Sequence, residues 1–88
     1  MKVEFKRIFV KDLQRVRDQG LKARVLQVVQ RVEKAPTLRE IGDLKKLRGG
    51  DRCYRVRLDD YRLGLLVEED TVIFVRFLHR KDVYRFFP

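Results

Sequence analysis

Residues 53–67, with the sequence CYRVRLDDYRLGLLV, contain the pattern that decides the predicted fold. Apolar and polar side chains alternate on both sides of the acidic pair Asp59-Asp60, which is typical of two strands joined by a tight turn. Because side chains alternate across a strand, Arg55 and Arg57 are expected side by side on one face. Arg62 follows the turn and joins them if the strand register turns it to that face. The pattern predicts a cluster of guanidinium groups on a rigid sheet, which suits the binding of phosphate.

The segments before this hairpin predict one strand and two helices. Residues 2–6 alternate as a short strand, and apolar residues at helical spacing follow as far as Gln19. Gly20 is expected to cap this first helix. A second helix is predicted from about Leu21 to Lys34, where Ala35-Pro36 ends it because proline cannot continue the hydrogen-bond ladder. Its apolar stripe consists of Leu21, Val25, Val28, Val29 and Val32.

The segments around and after the hairpin predict the rest of a sheet. A strand is expected to begin within residues 44–47, and residues 71–78 form a strongly β-forming run. The last residues, 79–87, form a tail for which a short helix is one option. Strands joined by tight turns pair antiparallel, so we predict a two-layer α+β fold in the order β-α-α-β-β-β with a short C-terminal tail. An N-terminal strand and an antiparallel helix hairpin pack on a small, mainly antiparallel sheet, whose other face stays open for the arginines.

Length and charge limit the kind of protein this is. The 88 residues make one domain, residues 1–88, and a hydrophobic content of 44% is sufficient for a single small core. The formal net charge is +9. The positive charges of such a chain repel one another in the folded state, and this excess indicates a polyanion or an acidic protein as partner.

The composition also excludes several kinds of site. One cysteine and one histidine cannot form an internal disulfide or a metal centre, and no serine is available as a nucleophile. The Arg48-Gly49-Gly50-Asp51 segment lacks the spacing of a phosphate-binding loop. We therefore expect neither a metal nor a cofactor. The N-terminus does not resemble a signal peptide and no apolar stretch approaches the length of a membrane span, so we expect a cytoplasmic protein that does not contact membranes.

A second group of residues near the C-terminus could add chemistry to the arginines. His79 can titrate near neutrality and exchange a proton, and Tyr84 can stack on a nucleic acid base. Arginines of this half of the chain could instead form a solvated face paired with Asp51, Asp59 and Asp60. His79 could equally be a strand-end residue and Tyr84 a core residue.

These motifs together resemble the RelE/ParE superfamily of toxins. The segments that carry the resemblance are Lys46-Leu47-Arg48-Gly49, Tyr54-Arg55-Val56-Arg57, Asp60-Tyr61-Arg62-Leu63 and His79-Arg80-Lys81 with Tyr84. The C-terminal stretch HRKDVYRFFP is especially similar to short RelE proteins. The resemblance covers the whole chain and implies a RelE-like fold with the same helix pair and strand order.

The RelE branch implies the toxin of a type II toxin–antitoxin pair. Such toxins enter the ribosomal A site and cleave mRNA without a metal, by attack of a ribose 2′-OH on the adjacent phosphate. The catalytic residues implied by the resemblance, together with His79, are Arg55, Arg57, Arg62, Arg80 and Tyr84. The expected RNA-binding residues are Lys46, Arg48, Arg76 and Lys81. The implied partners are an acidic RelB-like antitoxin, the ribosome and mRNA.

One departure from the family leaves the mechanism open. Well-studied members carry lysines at the positions of Arg55 and Arg57, and guanidinium keeps its proton at neutral pH. The general base could be His79, as in the related YoeB branch, or catalysis could depend on orientation and charge stabilisation alone. Two other functions also remain open: a ParE-like gyrase inhibitor, and a catalytically weak homologue that acts only with its antitoxin.

Overall fold

The computed structural model describes all 88 residues, Met1–Pro88, as a five-stranded sheet with helices on both faces. Its elements are β1 (Lys2–Phe5), α1 (Arg7–Arg15), α2 (Gln19–Lys34), β2 (Leu44–Lys46), β3 (Cys53–Leu58), β4 (Tyr61–Glu68), β5 (Thr71–His79) and α3 (Arg80–Phe86). The strand order in the sheet is β1-β5-β4-β3-β2, with β1 parallel to β5 and the other pairs antiparallel. The predicted α+β class and mainly antiparallel sheet are confirmed. The tail forms the short helix α3, and β2 is a separate strand. None of the helices combines the length and apolar character that crossing a membrane requires.

The boundary between the first two helices differs from the prediction. Helix α1 ends at Arg15, because Val16 already has extended backbone angles. Asp18, rather than Gly20, marks the boundary: its carboxylate accepts the backbone N–H of Leu21 at 3.1 Å and caps the start of α2. Aspartate is a favoured residue at this position because it satisfies one of the free N–H groups of the first turn. Gly20 therefore lies inside the first turn of α2 and does not cap α1.

The main core lies between the sheet and the helices α1 and α2. The whole predicted stripe of α2 is buried there. Alternate residues of the β3–β4 hairpin pack in the same core: Val56, Leu58, Leu63 and Leu65. Burial of this apolar stripe is what stabilises α2, since its valines have a low intrinsic preference for helix.

A smaller core lies on the opposite face, under α3. Cys53 of β3 packs there with Val83 and Phe87 of the C-terminal segment. Gly64 of β4 allows this close packing, because a Cβ atom at that position would lie 2.7 Å from the ring of Phe87. The backbone N–H of Arg80 also donates to the carbonyl oxygen of Asp60 at 2.7 Å, so α3 starts directly beside the turn between β3 and β4.

A buried ion pair attaches α1 to the free edge of β5. The pairing of β4 with β5 contains a bulge next to Gly64, and β1 pairs only with the first half of β5. In the second half, the carboxylate of Asp12 accepts the backbone N–H of Phe77 at 3.0 Å. It also accepts two hydrogen bonds from Arg76, at 2.8 and 3.1 Å. Asp12 thus provides a hydrogen-bond acceptor for a backbone N–H group on the part of β5 that no strand covers.

Replacing Asp12 by Ala is expected to destabilise the protein by about 3 kcal/mol, the lower end of the range for breaking a buried pair. The change leaves the N–H of Phe77 and the guanidinium of Arg76 without their acceptor. The measurement is urea unfolding at constant salt, with Asp70→Ala as the control, since the Asp70 side chain is exposed. A difference from the control below about 1 kcal/mol would contradict this role of Asp12.

Replacing Gly64 by Ala is expected to loosen α3, because the added methyl group displaces the ring of Phe87. Overpacking of this kind destabilises by about 1–3 kcal/mol. Amide hydrogen exchange in Arg80–Phe86 should accelerate by about tenfold. Gly42→Ala is the matched control, because nothing lies within 4 Å of a Cβ atom at that position. Unchanged exchange in the Gly64 variant would show that this contact does not hold the helix.

Candidate functional site

A charged depression lies at the end of the β3–β4 hairpin. Its volume is about 730 Å³. All seven lining residues are charged: Arg24, Asp43, Arg57, Asp59, Asp60, Arg62 and Arg80. Four arginines against three aspartates leave a net charge of +1. The structure therefore brings three of the predicted arginines together, from β3, β4 and α3.

The strand register places two of these arginines directly opposite each other. Arg57 of β3 pairs with Arg62 of β4, and Leu58 pairs with Tyr61 across the two-residue turn. Asp59 has a positive φ of 53° in this turn, a conformation that aspartate tolerates better than most residues. Like charges directly opposite destabilise a sheet. An anion bound between the two guanidinium groups removes that repulsion.

Arg62 is held differently from the other arginines of the depression. Arg57 donates to the carboxylate of Asp43 at 3.3 Å, and the Nε atom of Arg80 lies 3.8 Å from the carboxylate of Asp60. Arg62 donates instead to two backbone carbonyl oxygens, those of Asp59 at 2.7 Å and Tyr61 at 2.8 Å. Carbonyl groups orient a guanidinium without neutralising it. Arg62 therefore presents a full positive charge to a ligand.

Arg55 lies next to the depression on the same face of the sheet. It pairs with Gly64 and donates to the carbonyl oxygen of Asp43 at 2.7 Å. Its Nε atom is buried and has no hydrogen-bond partner. Asp43 has a positive φ of 60° and orients both Arg55 and Arg57, one through its carbonyl group and the other through its carboxylate.

Two other predicted residues project from α3 near Arg80. Tyr84 follows Arg80 by one helical turn, so the two side chains are neighbours on the helix surface. The ring of Tyr84 is 58% exposed and free to stack on a planar group. Lys81 is also exposed.

His79 does not join the arginines. It pairs with Tyr61, whose ring packs against the main core, so it belongs to the face of the sheet opposite Arg62. It lines a separate cavity of about 390 Å³. Its Nδ1 atom accepts the backbone N–H of Lys81 at 3.1 Å and caps α3. While Nδ1 accepts this hydrogen bond, that nitrogen is not available to take a proton from a substrate.

Two of the residues predicted to bind RNA are placed elsewhere. Arg76 is paired with Asp12 and its side chain is 14% exposed, so it supports the fold and faces no ligand. Lys46 pairs with Tyr54, and it is Lys45 that pairs with Arg55 and shares its face. The one-residue difference follows from the register of the short strand β2. Arg48 is exposed in the loop after β2, as expected.

Sequence reasoning missed Arg24 and Asp43 as parts of the site. Arg24 projects from α2 and forms an ion pair with Asp59 of the turn. In the sequence it has the appearance of an ordinary solvent-facing helix residue, and no local signal distinguishes it. Neither in the depression nor in the rest of the molecule do three histidine, cysteine or carboxylate side chains lie close enough together to hold a metal ion.

Comparison with known proteins shows similarity along the whole chain. A family model described as "ParE toxin of type II toxin-antitoxin system, parDE" matches residues 3–84. The Toxin RelE3 of Methanocaldococcus jannaschii is 39% identical over 89 residues, which cover 100% of both chains. The Putative toxin RelE1 of the same organism is 30% identical over 81 residues, covering 91% of this chain and 89% of the relative.

Solved structures agree with these sequence relatives. The RelB-RelE antitoxin-toxin complex from Methanococcus jannaschii matches with a TM-score of 0.82 and 36% identity, covering 97% of this chain and 99% of that chain. The archaeal RelE-RelB complex from Pyrococcus horikoshii OT3 matches with a TM-score of 0.73 and 29% identity, covering 90% and 93%. The chain therefore belongs to the RelE/ParE superfamily of type II toxin–antitoxin toxins, in its RelE branch.

Proposed function

We propose that this protein is a ribosome-dependent endoribonuclease that cleaves mRNA in the A site and inhibits translation. The observation that carries the proposal is the convergence of Arg57, Arg62 and Arg80 on one depression, with no carboxylate paired to Arg62. A phosphodiester is the anion whose oxygens match guanidinium donors in this geometry. The proposed location is the cytoplasm, because the ribosomes are there.

The proposed reaction needs charge stabilisation more than any other contribution. The ribose 2′-OH attacks the adjacent phosphorus, the bond from phosphorus to the 5′ oxygen breaks, and the products are a 2′,3′-cyclic phosphate and a 5′-OH. The phosphorane between them carries more charge on its oxygens than the substrate does. Arg62 and Arg57 are placed to bind those oxygens, with Arg55 beside them, which is a preorganised electrostatic role.

The proton of the 2′-OH is not removed by a group of the depression in this proposal. Arginine keeps its proton at neutral pH, and the ring nitrogen of His79 that could accept a proton is occupied by the cap of α3. The ribosome orients the 2′-OH for in-line attack. Solvent or the ribosome takes the proton of the 2′-OH and supplies a proton to the departing 5′ oxygen. Of the two possibilities that the arginines at positions 55 and 57 leave open, this is the one without a general base.

Tyr84 and the exposed basic residues are assigned to substrate binding. The ring of Tyr84 stacks on a base beside the scissile phosphate, since Arg80 one turn away faces the depression. Arg48, Lys45 and Lys81 supply positive charge for the RNA of the ribosome and message.

An acidic RelB-like antitoxin is the proposed partner. The net charge of +9 would otherwise favour unselective binding to nucleic acids. Two of the solved structures that this chain resembles are complexes of RelE with RelB. A negatively charged chain that covers the depression would neutralise the arginines and block access of RNA.

Gyrase inhibition is the second candidate, because the matching family model is named for ParE. The 39% identity to Toxin RelE3 over the full length favours the nuclease, as does Arg80 in the depression with the exposed Tyr84 one helical turn away. Primer extension on cellular mRNA after induction separates the two. Cuts at codons support the nuclease, whereas a DNA damage response without cuts supports gyrase inhibition. A catalytically weak homologue would give neither result.

Replacing Arg62 by Ala is expected to abolish growth arrest and to slow mRNA cleavage by about 10²–10³-fold, the effect of removing one preorganised donor. The free energy of unfolding should change by less than about 1 kcal/mol, because the side chain bonds only to carbonyl groups at the surface. The matched control is Arg52→Ala, which removes an exposed arginine paired with Glu68 outside the depression. Full toxicity of the Arg62 variant would show that the site is assigned wrongly.

A further inference from the structure

Arg24 is the only arginine of the depression that comes from the layer of α1 and α2. Its guanidinium forms an ion pair with Asp59, 35 residues away in the turn between β3 and β4. Both side chains remain open to solvent, Arg24 at 44% and Asp59 at 68% exposure. The contact therefore brings a helix residue to the rim of the proposed RNA site without burying it.

The three aspartates of the depression share one arrangement. Each lies against one arginine: Asp59 against Arg24, Asp43 against Arg57 and Asp60 against Arg80. A carboxylate offers a guanidinium two negatively charged oxygens, as a phosphate group does. The aspartates thus occupy the positions that phosphate oxygens would take in a complex.

These ion pairs are weak enough to open. Exposed pairs between arginine and aspartate contribute little to stability, because solvent screens both charges. A polyanion brings several phosphates at once and releases its own counterions on binding. Exchange of a carboxylate for a phosphate is therefore favourable once one phosphate is fixed at Arg62.

We propose that Arg24 binds a second backbone phosphate of the RNA, next to the phosphate at Arg57 and Arg62, and that Asp59 competes with it. The volume of about 730 Å³ exceeds what one phosphate group fills and has room for a neighbouring nucleotide. Asp59 holds Arg24 at the rim while the site is empty. The inference rests on the proposed function in that RNA is taken as the ligand.

The test measures binding without cleavage. A ten-nucleotide single-stranded RNA with 2′-O-methyl riboses cannot undergo 2′-OH attack, and its affinity is measured by fluorescence anisotropy over a series of salt concentrations. Arg24→Ala is expected to weaken binding and to reduce the slope of log K against log salt by about 0.7, the value for one phosphate of a single strand. Arg31→Ala, on the same helix but outside the depression, is the matched control and should keep the wild-type slope.

The competition by Asp59 has its own test. Asp59→Asn is expected to raise the affinity about two- to fivefold, the factor that corresponds to an exposed ion pair. Asparagine tolerates the left-handed backbone at this position, so the turn is kept. Combined with Arg24→Ala, the same change should have no more effect than Asp70→Asn, which removes an equal charge outside the depression.

Two outcomes would overturn the inference: an unchanged salt slope in Arg24→Ala, or an equal effect of Asp59→Asn with and without Arg24.

Failure of the proposed function gives a different result. If wild-type protein fails to cleave mRNA on ribosomes but Arg24→Ala still lowers the salt slope, the nuclease proposal is wrong and the binding role of Arg24 stands. If wild-type protein cleaves mRNA on ribosomes but Arg24→Ala leaves the salt slope unchanged, the nuclease proposal stands and the binding role of Arg24 is wrong.

Discussion

The register between β3 and β4 is the constraint on which the site depends. A two-residue turn at Asp59 and Asp60 fixes the pairing, and this pairing puts Arg57 directly opposite Arg62. A shift of β4 by one residue would turn Arg62 towards the main core and would move Leu63 and Leu65 to the opposite face. Burial of Val56, Leu58, Leu63 and Leu65 on one face therefore enforces the approach of the two arginines on the other. The hydrophobic effect in this way stabilises an electrostatic arrangement that is unfavourable by itself.

The rest of the molecule brings further charges to that pair. Helix α3 is anchored by Val83 and Phe87 over Gly64, and its first residue is tied to the turn by a backbone hydrogen bond. Arg80 consequently enters the depression from the C-terminal side. Helix α2 supplies Arg24 from the other layer. The aspartates pair with Arg24, Arg57 and Arg80 and lower the net charge of the depression to +1, so the arginines are held near one another without strong mutual repulsion.

The sequence predicted the parts of the site that depend on local alternation. Arg55, Arg57 and the inner apolar face follow from the period of two along residues 53–67, and their separation on opposite faces is confirmed. Predictions that depend on pairing over longer distances were less successful. The register of β2 places Lys45, and not the expected Lys46, on the face of Arg55, and the ion pair with Asp12 leaves the side chain of Arg76 only 14% exposed.

Two features could not be predicted from one sequence, and a third was predicted at the wrong residue. Arg24 contacts Asp59 only because the folded hairpin returns to α2, and such a contact leaves no periodic signal. His79 was expected beside the arginines, but its role as the cap of α3 and its pairing with Tyr61 turn it to the other face. The boundary between α1 and α2 was predicted at Gly20, although Asp18 is a favoured residue for the N-terminal cap of a helix and caps α2 in the structure.

Cleavage of mRNA on programmed ribosomes, with analysis of the product ends, tests the central claim most directly. Wild-type protein, Arg57→Ala, Arg62→Ala and the double variant are compared in single-turnover reactions. If the two guanidinium groups bind the same phosphorane, the product carries a 2′,3′-cyclic phosphate and the loss in the double variant is smaller than the product of the two single losses. Independent losses that multiply, or products that end in a 3′-OH, would contradict the account.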